Sequence, residues 1–224
     1  GIDIWLPYQI DVPIRDNYFT GNQAYAGGAI SVTDTGCFIN LENNIFSKNK
    51  AFFDGGAVWL YRGNARTEEH LSHLINNSFY RNSAVYTGGA LFAHADAPLI
   101  VNSIFWNDTA IEGREMYLSF YVDTLEIANS VFNPAYIKGS VNDGGGNLNK
   151  GPLFTDFDLL TTEPYSPCVD AGVASYTCSH GVSLFAPTYD LAGVPRPAGN
   201  GFDIGAYDLV FSAVGMHGNK AGLP

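Results

Sequence analysis

A short pattern returns along this chain, and it limits the fold more than any other feature. It reads N-x-F-x-x-N-x-A, then a few residues, then G-G-A and an aliphatic residue. One copy holds Asn17, Phe19, Asn22, Gly27 and Gly28. A second holds Asn44, Phe46, Asn49, Gly55 and Gly56, and a third Asn77, Phe79, Asn82, Gly88 and Gly89. Fainter copies begin at Asn102 and Asn129, so the leading asparagines step by 27, 33, 25 and 27 residues. A period of this length marks one supersecondary unit stacked on copies of itself.

Helical repeats would need about ten residues of 3.6-period apolar pattern per helix, and no such stretch is visible. Each unit instead carries short β-prone runs, such as Ala29-Ile30-Ser31-Val32 and Ala57-Val58-Trp59-Leu60, punctuated by Gly, Asn, Asp and Ser. This pattern predicts an all-β parallel β-helix, with equivalent residues about 4.8 Å apart in successive coils. Phe19, Phe46 and Phe79 then form an inward column, expected to continue through Ile104 and Val131. The asparagines stack as ladders at tight corners, where Asn tolerates the left-handed backbone. The longer step is accounted for by a projecting polar loop at 62–70.

The G-G-A-[ILV] and F-x-x-N tetrapeptides resemble the repeats of polymorphic outer-membrane proteins, surface adhesins whose passenger region is a right-handed β-helix. A second resemblance covers the C-terminal part: Gly151-Pro152-Leu153-Phe154, Ser166 to Gly172, Asp190 to Arg196 and Asp203 to Asp208 are similar to secreted β-helix proteins of the choice-of-anchor type. Together they imply a right-handed solenoid with coils over 1–150, last coils and a C-terminal cap over 151–208, and a tail over 209–224. In that cap Asp190, Arg196, Asp203 and Asp208 recur as a unit, which implies structural Arg–Asp pairing. Ile2 to Leu6 already alternates like a strand, so the chain reads as a piece of something longer.

The formal net charge is −11, with 11 Lys and Arg against 22 Asp and Glu. Nucleic-acid backbones call for clustered positive charge, so that class of partner is not expected. No apolar run approaches 18 residues, so no transmembrane helix is expected. Cys168 and Cys178, ten residues apart, are candidates for a short-loop disulfide, which the sequence leaves open. Cys37 reads as a buried thiol, with an intermolecular bridge the alternative. Two matches to the glycosylation acceptor, at Asn76 and Asn107, coincide with the repeat asparagines and read as structural.

An enzyme built on this scaffold would need carboxylates around a calcium ion with a basic partner, or two acids on adjacent coils about 5 to 9.5 Å apart. Asp54 has Ala26 and Thr87 as its counterparts, and Asp123 and Glu126 have no matching acids a coil earlier, so no catalytic residue is assigned. The loop bearing Glu68, Glu69 and His70, with His73 nearby, reads as solvated rather than metal-binding. No cofactor is implied; calcium, cradled by residues 142–147, is the one ion weighed, against a plain loop. The outward aromatics are better candidates. Trp59 and Phe92 follow inward residues, and Tyr80, Phe105 and Phe132 are placed in a second outward column. Such rings dock a protein partner or stack on sugars. The expected function is therefore a noncatalytic secreted or cell-surface module, serving adhesion or an extracellular assembly of its own copies or other proteins. The alternative is a polysaccharide-binding or polysaccharide-cleaving protein.

Overall fold

The computed structural model describes residues 1–5, 10–33, 37–61, 72–95, 97–121 and 124–210. The expected 62–70 loop with Glu68, Glu69 and His70, together with Asp123 and the tail beyond 210, lies outside them. The described chain is a parallel β-helix of six coils. One sheet stacks Ile2–Ile4, Ile30–Thr33, Val58–Tyr61, Leu91–His94, Met116–Leu118 and Ile137–Lys138. A second stacks Asp11–Arg15, Phe38–Glu42, His73–Ile75, Leu99–Val101, Leu125–Ala128 and Val141–Asp143. The third holds Tyr18–Thr20, Ile45–Ser47, Ser78–Tyr80 and Ile104–Trp106, and the fourth Gln23–Ala24, Lys50–Ala51 and Ser83–Ala84.

The repeat residues make the corners and the core. Asp16, Asn43, Asn76, Asn102 and Asn129 take the left-handed conformation at one corner, with φ from 45° to 57°. Beside that corner, Asn44 Oδ1 accepts from the backbone N–H of Asn17 (3.1 Å), and Asn77 Oδ1 does the same for Asn44 (3.0 Å). The ladder runs on through Ser103, Ser130 and Asn147. A second ladder links Asn22, Asn49, Asn82 and Asp108. Each interior amide also donates to a core carbonyl, as Asn49 does to Phe19 (2.8 Å), so the buried backbone groups at the corners are satisfied.

The aromatic column departs from expectation in its register. Phe19, Phe46 and Phe79 do stack inward, but Phe105 pairs with Phe79 and stacks on it at 4.5 Å, while Ile104 pairs with Ser78 and points outward. Phe132 packs in the same core as Phe105. Asn102 is the counterpart of Asn76, not Asn77, so the corner steps are 27, 33, 26 and 27. Ser103 carries the ladder rung that Asn77 carries one coil earlier. Aligning on asparagine alone slips the unit by one residue, and in a strand one residue exchanges the two faces. Phe79→Ala, which empties the middle of the column, is expected to cost about 3–5 kcal/mol. A urea midpoint within error of the parent would contradict that.

Parallel pairing ends at the bridge between Val131 and Leu148. Residues 151–210 add no further coil; they close the fold along its flank, as a brace. Asn43 donates to the Tyr189 carbonyl, Asn76 to those of Asp203 and Gly205, and Asn102 to that of Val173. Glu126 accepts from Tyr176 and Ser179, and the hydroxyls of Tyr18 and Tyr207 bond. Ile45, Ile104 and Val131 point outward yet are buried, because Leu160, Cys168, Ile204 and Ala206 lie on them. A hairpin of Ser175–Thr177 and Ser183–Phe185 covers Ile75, Leu99 and Val101.

The brace also explains why the candidate disulfide is not formed. Cys168 and Cys178 are both free and buried, in separate clusters: one against Ile104, Val131 and Ile204, the other against Ile75, Leu99, Val101 and Leu184. Burial pushes the Cys168 thiol up to about 12, so it packs as a small hydrophobe. Cys37 is buried in the main core.

Candidate functional site

With the brace over the second and third sheets, the outer face of the first sheet and the adjoining glycine turns carry a continuous set of exposed aromatics, while Phe157, Tyr165, Phe185 and Tyr189 are exposed singly on the brace and Tyr18 on the third sheet. Alternation along each strand sends Ile30, Val32, Val58, Leu60, Leu91, Ala93, Met116 and Leu118 inward. The residues between them point out. Parallel register then lines up Asp3, Ser31, Trp59, Phe92, Tyr117 and Lys138 in one column, and Thr33, Tyr61 and His94 in the next.

These rings stack on one another. Trp59 lies 6.2 Å from Phe92 and 5.2 Å from Tyr61, Phe92 lies 5.7 Å from Tyr117, and Tyr61 lies 4.4 Å from His94. Phe92 is thereby almost buried, at 8% exposure, and burial lowers the His94 pKa. Tyr121 meets His94 edge-on, next to an 86% exposed Phe120. Of the three other residues expected on an outward face, Tyr80 points outward but is closed off, and Phe105 and Phe132 turn into the core. Tyr80 is covered by Phe154 and Phe157 of the brace.

A second aromatic row, missed in the sequence, runs along the turns before the glycine pairs. Tyr25 stacks on Phe53 at 5.2 Å, Phe53 meets Tyr86 edge-on at 5.3 Å, and Ile111 follows, with Tyr25 and Ile111 each at least 70% exposed. Its signal was the aromatic at a fixed distance before each G-G pair. The glycines between the two rows are required by packing. A Cβ on Gly56 would sit 2.0 Å from the Gly89 carbonyl oxygen, and Gly27 has φ of +62°.

Where the stacked column reaches Trp59, the next coil offers only Ser31 and Thr33. The rings give way to a cleft of about 540 Å³ lined by Asp3, Gln23, Tyr25, Ser31, Thr33, Phe53 and Trp59, with the Ala26 to Ala29 turn beneath.

In the column that holds Asp54 the acids do not stack on one another. Asp54, Thr87 and Glu112 follow one another in register, so a threonine separates the two carboxylates. Asp54 is 7% exposed and accepts from the Thr87 N–H (3.0 Å) and hydroxyl (2.6 Å); burial raises its pKa against the effect of these bonds. Glycoside hydrolysis needs two accessible carboxyl groups, and this column offers one. Burial raises Glu126 as well, but the bonds from Ser179, Tyr176 and Asn142 outweigh it and hold the carboxyl below its ordinary value. In the 142–147 loop, Asp143 Oδ1 accepts from Gly145 and Asn147, and Asn147 is the last rung of the corner ladder. Asp190, Arg196, Asp203 and Asp208 sit together in the brace. Asp190 accepts from three backbone N–H groups, and Arg196 pairs with Asp208 at 3.2 Å. Among the described residues no three His, Cys, Asp or Glu side chains come together as a metal site, and no helix is long and apolar enough to cross a membrane.

Comparison of the chain with family models, curated proteins and solved structures finds no match.

Proposed function

We propose that the chain is a noncatalytic β-helix module of the cell surface or extracellular space, acting in adhesion or as a subunit of an extracellular assembly. The observation that carries this reading is the distribution of its aromatics. The brace covers Tyr80 and the outward isoleucines, yet Tyr25, Phe53, Tyr86, Ile111, Phe120 and Tyr121 remain exposed along the opposite faces. Exposed apolar rows of this kind mark contact surfaces. The resemblance of the repeats to polymorphic outer-membrane adhesins supports the same reading, and so does the acidic balance, which suits a protein partner better than a nucleic acid.

Negative-stain microscopy and solution mass across a concentration series test it. Discrete oligomers or filaments are expected, and Tyr86→Ser combined with Ile111→Ser is expected to return them to monomer. A strict monomer at every concentration removes self-assembly. Beads coated with the parent chain that bind cells and matrix no better than beads coated with the variant then remove adhesion too.

A further inference from the structure

We propose that the cleft beside Trp59 binds one unit of a neutral saccharide, stacked on the open face of the indole. The argument starts from how the cleft arises. From Trp59 through Phe92 to Tyr117, each outward ring is covered by the ring of the next coil, so little ring face is left for a ligand. At Trp59 the column stops, because Ser31 and Thr33 stand where the next rings would be. One side of the indole therefore opens on the cleft, with Phe53 and Tyr25 from the second aromatic row as further wall.

The lining selects the chemistry of the ligand. A volume of about 540 Å³ lies in the range of small-molecule sites and holds a sugar ring with room to spare. A wholly apolar ligand would bury Ser31, Thr33, Gln23 and Asp3 without partners, at a cost per group that a ligand bearing hydroxyls avoids. A pyranose has an apolar C–H face for the indole and equatorial hydroxyls for those four side chains. Asp3 is the one charged side chain in the lining, and the Gly1 amino group beside it donates to Asn22 (3.2 Å), so uronic acids, sulfated sugars and phosphates meet no cluster of positive charge there.

This inference does not rest on assembly or adhesion. The test is calorimetric titration of the chain with neutral gluco-, xylo-, manno- and galacto-oligosaccharides, with an oligogalacturonate and choline as counter-probes. At least one neutral oligosaccharide is expected to bind. Ser31→Tyr extends the ring column over the open face of Trp59 without disturbing the core, and is expected to weaken binding by about tenfold or more. Its urea midpoint should match or exceed that of the parent, and its oligomer distribution should be unchanged. Trp59→Ala is expected to weaken binding to a similar degree. The proposal is overturned if no neutral oligosaccharide binds, if Ser31→Tyr binds as well as the parent, or if only the acidic glycan or choline titrates.

Discussion

Asp208→Ala is expected to destabilise the protein by about 3–5 kcal/mol, because it strands a buried arginine. The Arg196 and Asp208 side chains are fully shielded from solvent. Arg196 Nη1 donates to Asp208 Oδ2, and Nη2 donates to the Gly205 carbonyl (2.9 Å) and to Asn43 (3.3 Å). Burial works against the charged guanidinium, and Asp208 is the strongest of the acids that hold it charged, ahead of Asp190 and Asp203. Asp208 also accepts from the backbone N–H groups of Ala198 and Asp203. Its loss therefore removes a charge and two backbone acceptors together. The brace should loosen before the coils do, exposing Ile45, Ile104 and Tyr80. A lower urea midpoint, binding of a hydrophobic dye and early proteolysis within 151–210 are expected. An unchanged midpoint would refute this role for the pair.

The second large effect depends on pH. Asp108 and Glu115 are buried acids inside the coils, and burial pushes them up to about 8 and about 9; for Glu115 the nearby Asp108 adds to the shift. Below about pH 4 both groups are protonated in the folded and the unfolded chain alike and do not affect stability. As pH rises above that, the unfolded chain releases these protons while the folded chain keeps them. Each group then removes about 1.4 kcal/mol per pH unit until its folded pKa is passed. Stability should therefore fall from mildly acidic to mildly alkaline pH. Asp108→Asn should flatten much of that slope, with a gain on the order of 4 kcal/mol near neutral pH and almost none near pH 4. The substitution also restores the residue that occupies this rung in three other coils, at Asn22, Asn49 and Asn82. Urea midpoints that are parallel for parent and variant from pH 5 to 8 would rule it out.

The coils were legible in the sequence because each position is repeated. Phe19, Phe46 and Phe79, and the asparagines that flank them, take their roles from one another. The register failed where the repeat changed chemistry, at Ser103, since a serine hydroxyl serves as a rung without resembling the amide it replaces. The segment over 151–208 was expected as last coils and an end cap, not as a brace along the flank, and the fates of Tyr80 and Cys168 follow from that difference. A trace of the brace is present in hindsight. Leu99-Ile100-Val101 is apolar at three successive positions, which a strand needs only when both faces are covered. Trp59 and Phe92 were placed on the outer face correctly, because alternation within a strand does not depend on the partner that covers it. The cleft was not legible, since it arises from a missing pair of rings at Ser31 and Thr33 and not from any motif.

A plain solenoid holds each coil only by its two neighbours, so under tension it peels one coil at a time. Here the segment after residue 150 is tied to Tyr18 in the first coil, Asn43 in the second, Asn76 in the third, Asn102 in the fourth and Glu126 in the fifth. Pulling on any one coil loads the others through that shared attachment. The rod should yield as a single mechanical unit, at one rupture force, and not as a staircase of small ones.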